Sequence, residues 1–324
     1  MPSFKEAVLA AEAANTVSMF VAQEQVRTLS DLKHALFQPS TTTHKQNASE
    51  ISHSVSVVVL CASAVLSTAD TVMSTVRELS KATNISPPNQ ESVVLVLCGG
   101  IGHSTQLMHD AVLRHPQYNA LAEQVQGQPE GRILQAIGER FFDLQVNNNN
   151  NPESGDTQRR ALTVLVEDAS TNCALNAQYT RELLDAHGFK SPRSIVVAQD
   201  PTMCRRTVAA FEQVYADAIE GPPVFSSWPT FVPKVTAKEP SVGYINSLLS
   251  YFDFVDLDMG DSWKDGLWSM DRFMSLLVGE VPRMRDDENG YGPNGKGSIV
   301  HIDIPQDVEN AWKTLSELLG HSGR

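Results

Sequence analysis

Four short runs of β-branched and other apolar residues, each leading into a segment of helical periodicity, constrain this chain more than any other feature. The runs are VSVVVLCAS from Val55, SVVLVLCGG from Ser92, ALTVLVED from Ala161 and SIVVAQD from Ser194. Their apolar residues are continuous rather than alternating, which is the pattern of strands buried on both faces. Helical spacing follows in TADTVMSTVRELSKAT, after Ser104, from Glu130 to Phe142, in TNCALNAQYTRELLDAHG and in PTMCRRTVAAFEQVYADAI. Strand, helix, strand, helix with β-branched strands predicts an α/β fold, a three-layer α/β/α arrangement with a mostly parallel central sheet. The 324 residues are enough for one large or two ordinary domains. The reading divides them into a helical lead over 1–50, an α/β core over 51–236 and a C-terminal region over 237–324 packed on the core.

Around this core the pattern is less regular. NISPPNQES and VNNNNNPESGDTQRR read as polar surface insertions. After Gly221, a strand is expected in WPTFVPKV, helices at 242–254 and 268–278, a final strand in SIVHIDIP and a terminal helix in QDVENAWKTLSELL. The N-terminal segment EAVLAAEAANTVSMFVAQEQ is broken by Glu12 and Asn15, too polar for a bilayer span and without a basic leader or cleavage signal. It reads as an amphipathic helix with Val8, Leu9, Ala11, Val17, Phe20 and Val21 on a broad apolar face. The sequons at Asn47 and Asn84 therefore carry little weight. A formal net charge of −13 argues against nucleic acid and anionic membranes as partners. Cys61, Cys98, Cys173 and Cys204 match no zinc or redox spacing, which points to a reduced, cytoplasmic setting.

Ligands of open parallel sheets bind outside the carboxyl ends of the strands. That rule selects the turns at 63–66, 99–105, 167–172 and 199–202. In GGIGHST, Gly99, Gly100 and Gly102 permit close backbone approach, Ser104 or Thr105 is placed to cap the next helix, and His103 is a candidate base or donor. The turn lacks the glycine spacing of a dinucleotide fingerprint, the lysine of a P-loop and the serine of a nucleophile elbow. In EDASTNCALN, Glu167 and Asp168 end a buried strand, Ser170 or Thr171 is expected as a cap, and Asn172 and Asn176 share one helical face. In QDPTMCRR, Asp200 is expected to cap, Pro201 to start the helix, and Arg205 and Arg206 to receive an anion in its first turn. Cys173 and Cys204 fall in predicted first turns, where a thiol pKa can drop, although packing as small side chains is the commoner fate. The acids Asp253, Asp256, Asp258 and Asp261 do not form a calcium loop, because Leu267 stands where a glutamate is needed. No other metal pattern emerges. The length and glycines of RMRDDENGYG also allow a lid that brings Arg283, Arg285 and Tyr291 to the ligand, against the plainer reading of local ion pairs.

GGIGHST, EDASTNCALNA, QDPTMCRRT and LLVGEVPRMRDDENGYGPNGKGSIVHIDIP, in this order, resemble the YdcF-like proteins, a branch of the α/β superfamily that includes SanA and ElyC. The likeness spans nearly the whole chain apart from its N-terminal residues and the two insertions. It implies a Rossmann-like fold with a C-terminal extension, and S-adenosylmethionine binding with an undefined reaction. The family's Gly-Gly turn falls on Gly99 and Gly100, and its acid before a helix on Glu130. Its E-x-x-S-x-N-T-x-E-N segment falls on Glu167, Ser170, Asn172 and Asn176, with Cys173 in place of the usual Thr and Leu175 in place of Glu. Its His-x-x-Arg appears as Thr202 and Arg205. Losing that His and that Glu weakens transfer of acid–base chemistry, and the membrane anchors of SanA and ElyC have no counterpart here.

Three functions are compatible with these features. The first is a small nucleotide-type ligand bound by Glu167, Asp168, the Gly99–Ser104 backbone and Arg205. The second is a hydrolase or phosphoryl-handling enzyme with Glu130, Glu167 and Asp168 placing water or a divalent ion, His103 as base, and Arg205 and Arg206 stabilising charge. The third is an interaction protein with a vestigial pocket, for which Glu167→Ala and Arg205→Ala would change nothing. The oligomeric state is left open.

Overall fold

A computed structural model describes residues 2–37, 55–83, 92–146, 162–219, 221–239, 247–255 and 266–320. Helices α1 (Phe4–Ala22) and α2 (Leu29–Phe37) precede an alternation of β1 (Ser56–Cys61), α3 (Leu66–Thr83), β2 (Val93–Cys98), α4 (Thr105–Arg114), the short α5 (Ala122–Val125), α6 (Glu130–Phe141), β3 (Leu162–Glu167), α7 (Cys173–Ala186), β4 (Ser194–Ala198), α8 (Cys204–Val214) and β5 (Val224–Trp228). The five strands form one sheet in the order β3-β2-β1-β4-β5, every neighbouring pair parallel. The predicted α/β/α architecture is therefore present, and the four strands read from the sequence lie where they were expected.

Alternation along β1 explains why its run is apolar throughout. Val58 and Leu60 pack with Val72 and Met73 of α3 and Ile133 and Ile137 of α6. Val57, Val59 and Cys61 face the other way, against Ala177 and Leu184 of α7 and Val208 and Phe211 of α8. Every residue of β1 and β2 is buried. At roughly 1.5–3 kcal/mol for each fully buried Val or Leu side chain, such a strand is stable only when covered on both faces.

A third apolar cluster joins the two ends of the chain. It holds α1 together with β6 (Val235–Ala237), β7 (Phe252–Phe254), α9 (Met270–Met284) and α10 (Gln306–Leu319). Thus α1 of the helical lead packs with the extension over 237–324, whereas α2 packs on the sheet through Leu32, Ala35 and Leu36. The buried face of α1 is largely alanine (Ala7, Ala10, Ala11, Ala14) with Val17, Phe20 and Val21, while Leu9 of the expected face is exposed. Asn15, which interrupts the apolar run, exchanges two hydrogen bonds with the backbone of Val235, at 2.9 and 2.8 Å. Ser18 donates to the carbonyl of Pro233 at 2.7 Å. No helix among the described residues is long and apolar enough to cross a membrane.

Several expectations for the C-terminal region are corrected. WPTFVPKV is not one strand; it runs from the end of β5 to the start of β6. The described part of the expected helix at 242–254 is a single 3₁₀ turn (Leu248–Tyr251) followed by β7, which pairs antiparallel with β6. The Ser247 hydroxyl accepts from the Leu249 N–H at 3.2 Å, and two β-prone phenylalanines then extend the chain. SIVHIDIP is not a strand: Ile299 packs against α8, and the Val300 N–H donates to the carbonyl of Ala209, so its backbone meets a helix rather than a sheet edge. The helix after β4 begins at Cys204, not Pro201, because Asp200 holds Thr202 in a turn through its N–H (3.0 Å) and hydroxyl (2.7 Å). The sequons, most of both polar insertions, and Asp256, Asp258 and Asp261 lie outside the described residues.

The glycine-rich loop after α9 is folded on itself. Tyr291 N–H donates to Arg283 O, Lys296 N–H to Gly290 O and Ile299 N–H to Tyr291 O. Arg283 pairs with Glu280, and Arg285 is bidentate on Glu309 (3.0 and 2.6 Å) over the Trp312 ring. Tyr291 lies against Arg206. All three residues expected of a lid are used in local contacts, as the plainer reading required.

Arg206 and Glu280 form the most buried ion pair described, with bonds of 2.6 and 3.1 Å joining α8 to α9. Burial opposes the charge on Arg206, but Glu280 outweighs it and raises the guanidinium pKa. Removing one partner of such a pair strands the other in a low-dielectric site, at roughly 3–5 kcal/mol. Glu280→Ala is accordingly expected to lower the free energy of unfolding by about that amount, measured by denaturant titration.

Candidate functional site

The strand order places the topological switch between β1 and β4: the chain leaves β1 toward β2 and leaves β4 toward β5. The loops diverge there and open a crevice at the carboxyl ends. Its volume is about 170 Å³. Five segments wall it: 62–64 after β1, the Gly100–Ser104 turn after β2, Glu130 at the start of α6, Ser170–Cys173 with Asn176 at the start of α7, and Gln199, Asp200 and Met203 after β4. Trp268 and Arg272, at the start of α9, complete it.

Asp200 closes the floor. It is buried, and its two carboxylate oxygens accept four hydrogen bonds. Ser63 Oγ (2.8 Å) and Trp268 Nε1 (3.1 Å) reach Oδ2, and the Thr202 N–H and hydroxyl reach Oδ1. Burial raises its pKa against the pull of those donors. The expected helix cap is instead a clamp that ties two distant segments, at Ser63 and Trp268, to its own turn.

The Gly-Gly turn is pressed onto the neighbouring loop. A Cβ on Gly100 would stand 2.1 Å from the carbonyl oxygen of Ser170, so only glycine fits. Gly99 lies behind the crevice wall, its N–H donating to Glu167 O at 2.9 Å. The Gly100 carbonyl accepts from the Glu130 N–H, docking α6 against the turn. Gly102 N–H donates to Thr105 Oγ1 (2.8 Å), and that hydroxyl donates to Glu130 Oε1 (2.9 Å). Ser104 occupies the cap position of α4 without a side-chain cap bond. Its N–H and that of His103 meet no acceptor among the described residues, and both side chains are exposed at the rim. Burial raises the pKa of Glu130, partly offset by the Thr105 hydroxyl.

The acids after β3 do not line the crevice. Glu167 is buried and spends both oxygens on its own loop and the end of β2: Oε1 accepts from the N–H groups of Ala169 and Ser170 (both 2.8 Å), and Oε2 from Ser170 Oγ (2.6 Å) and Cys98 Sγ (3.1 Å). Asp168 turns to Arg132, which donates to it at 2.6 Å. Asn172, rather than Ser170 or Thr171, caps α7 by accepting from Leu175 N–H at 3.0 Å. Its side chain and that of Asn176 border the crevice, and the Asn176 amide meets no partner among the described residues.

The expected arginines also point elsewhere. Arg205 donates to the carbonyl of Phe20 at 2.6 Å and stacks on that ring at 4.1 Å, which fixes it against α1. Arg206 is the buried partner of Glu280. The cation that does border the crevice is Arg272, whose guanidinium makes no hydrogen bond or ion pair among the described residues. Sequence reasoning selected the turns of Ser63 and Gln199 but missed Trp268 and Arg272. Their only local signal is the Ser269 cap, which accepts from the Arg272 N–H at 3.3 Å and starts α9 at the crevice. Cys173 borders the crevice, whereas Cys204 is buried and its thiol pKa is raised by burial, as befits a packed side chain. Among the described residues no group of three His, Cys, Asp or Glu is placed to hold a metal ion.

The raised pKa of Glu130 makes its contribution to stability pH-dependent. The folded state holds this proton more tightly than the unfolded chain, so the contribution is complete below the ordinary glutamate value of 4.5 and is lost as pH rises through the folded-state pKa. Glu130→Gln should therefore gain melting temperature relative to the parent as pH rises from about 4 to 7, a trend that paired thermal melts would reveal. No protein-family model matches the chain.

Proposed function

We propose that the crevice at the β1/β4 switch binds a small nucleotide-type ligand, with S-adenosylmethionine the specific candidate suggested by the YdcF-like resemblance. The observation that carries this reading is Arg272. It is a half-buried cation without a described partner, at the mouth of a strand-end crevice in a chain of net charge −13. Arg272 takes the carboxylate or phosphate assigned from sequence to Arg205. The Asn176 amide and the Glu130 carboxylate take hydroxyl or amine groups, replacing Glu167 and Asp168, which are engaged elsewhere. The N–H groups of His103 and Ser104 approach the ligand from the Gly100–Ser104 turn. Four free cysteines suit a reducing, cytoplasmic setting for this binding.

One observation favours a second reading, a hydrolase or phosphoryl-handling enzyme. Glu130 lines the same crevice as His103, and its raised pKa brings it nearer to acid–base work at neutral pH. Arg205 and Arg206 do not serve that chemistry, since both are engaged outside the crevice.

The test is thermal shift with S-adenosylmethionine, S-adenosylhomocysteine and ADP on the full chain. A ligand at 100 times its Kd stabilises the fold by about 2.7 kcal/mol, enough for a clear rise in Tm. Arg272→Ala is expected to remove the shift and Arg205→Ala to keep it. A shift that requires a divalent cation, with turnover lost in Glu130→Gln, would transfer support to the second reading. No response to any of the three would leave the crevice without a nucleotide-type ligand.

A further inference from the structure

Beside the polar crevice lies a second, larger cavity of about 340 Å³, bounded by the start of α3, one face of α4 and the segment from Gly266 to Arg272. That volume is within the range of about 300–1,000 Å³ usual for small-molecule sites. Ala64, Trp268 and Arg272 border both cavities. The second differs in chemistry. Its walls are mainly apolar, from Val65, Leu66, Leu107, Ala111, Leu267 and Trp268. Its ionic groups are Arg114, Arg272 and Asp70, with the His115 ring beside them.

These ionic groups are unequally satisfied. Asp70 accepts a hydrogen bond from the Tyr118 hydroxyl. His115 is stacked on Tyr118 at 4.0 Å, and its Nδ1 accepts from the N–H groups of Gln117 and Tyr118, so that nitrogen carries no proton. Arg114 and Arg272 make no side-chain hydrogen bond or ion pair among the described residues. Arg114, which is exposed, and Arg272, which is half-buried, thus stand unclaimed beside one occupied carboxylate at the border of an apolar chamber. An unpaired cation beside low-dielectric walls favours an anion more strongly than the same cation in open water. The apolar walls, in turn, gain only from a ligand with hydrocarbon or ring surface to bury.

We infer that this chamber is a binding site for an amphiphilic anion, a carboxylate attached to an apolar chain, with the chain between α3 and α4 and the carboxylate at Arg272 and Arg114. The inference goes beyond the proposed nucleotide-type ligand and does not require it.

Octanoate is the probe, titrated calorimetrically into the full chain, with octan-1-ol and octylammonium as matched controls. One octanoate is expected per chain, bound on the order of tenfold more tightly than either control, about 1.4 kcal/mol. Ala111→Trp, which fills the chamber from α4, should abolish binding. Arg272→Gln and the surface change Arg114→Gln should each weaken it several-fold, and Arg205→Ala, outside both cavities, should leave it intact. Circular dichroism of each variant separates loss of the site from loss of the fold. Absence of octanoate binding, equal affinity for octylammonium, or undiminished binding in a folded Ala111→Trp would each overturn the inference. The response to S-adenosylmethionine is measured separately: its absence alongside octanoate binding would count against the crevice reading alone.

Discussion

The architecture around the crevice turns on one buried carboxylate. Asp200 follows β4, yet its hydrogen bonds run to Ser63 after β1, to Thr202 in its own turn and to Trp268 more than sixty residues later. Hydrogen bonds involving a charged group contribute roughly 1.5–3 kcal/mol each, and an unmet buried charge costs more than a neutral group. The four donors therefore have to stay assembled for Asp200 to stay buried. That requirement holds the diverging loops of the switch at a fixed separation and anchors the C-terminal segment over them. Arg272 lies four residues beyond Trp268, in the first turn of α9, so the same clamp brings this cation to the crevice mouth.

The remaining charges near the strand ends serve the scaffold. Glu167 organises its own loop and receives the Cys98 thiol, whose pKa is pushed well up by burial. Arg206 joins α8 to α9 through Glu280, and Arg205 joins α8 to α1 through Phe20. These contacts fasten the terminal helices to the Rossmann-like core, so α1 and the extension behave as one layer despite standing at opposite ends of the chain. The polar crevice and the mainly apolar chamber lie between that layer and the core, with Trp268 and Arg272 shared between them.

Much of the fold was legible because its signals are local. A strand buried on both faces is largely apolar at successive positions, and the runs at 56–61, 93–98 and 194–198 show this, while the edge run at 162–167 is only partly buried. Signals failed where a partner was distant. SIVHIDIP has strand composition but meets α8 instead of a sheet edge. Leu9 has the spacing of a buried residue, but α10 and α9 approach the alanine face beside it. For the site, Asn176 followed from its helical spacing to Asn172 and Glu130 from the YdcF-like resemblance, whereas the rule that ligands gather at strand ends located Gly100, Gly102, His103, Ser104, Ser170, Asn172 and Asp200 on one crevice. It did not distinguish them from Gly99, Glu167, Asp168, Arg205 and Arg206, which sit at the same ends and point away.

By itself, then, the amino-acid order determined the parallel α/β core and which turns would share the carboxyl edge of its sheet, because periodicity and strand length act over a few residues. Only the tertiary structure decided which charges remained unclaimed there. A side chain's direction at a strand end is set by the partner it meets, and the partners of Arg205 and Arg206 stand 185 and 74 residues away. Arg272, the arginine of the described residues that borders the crevice without a partner, comes from a helix that no local pattern connects to the sheet.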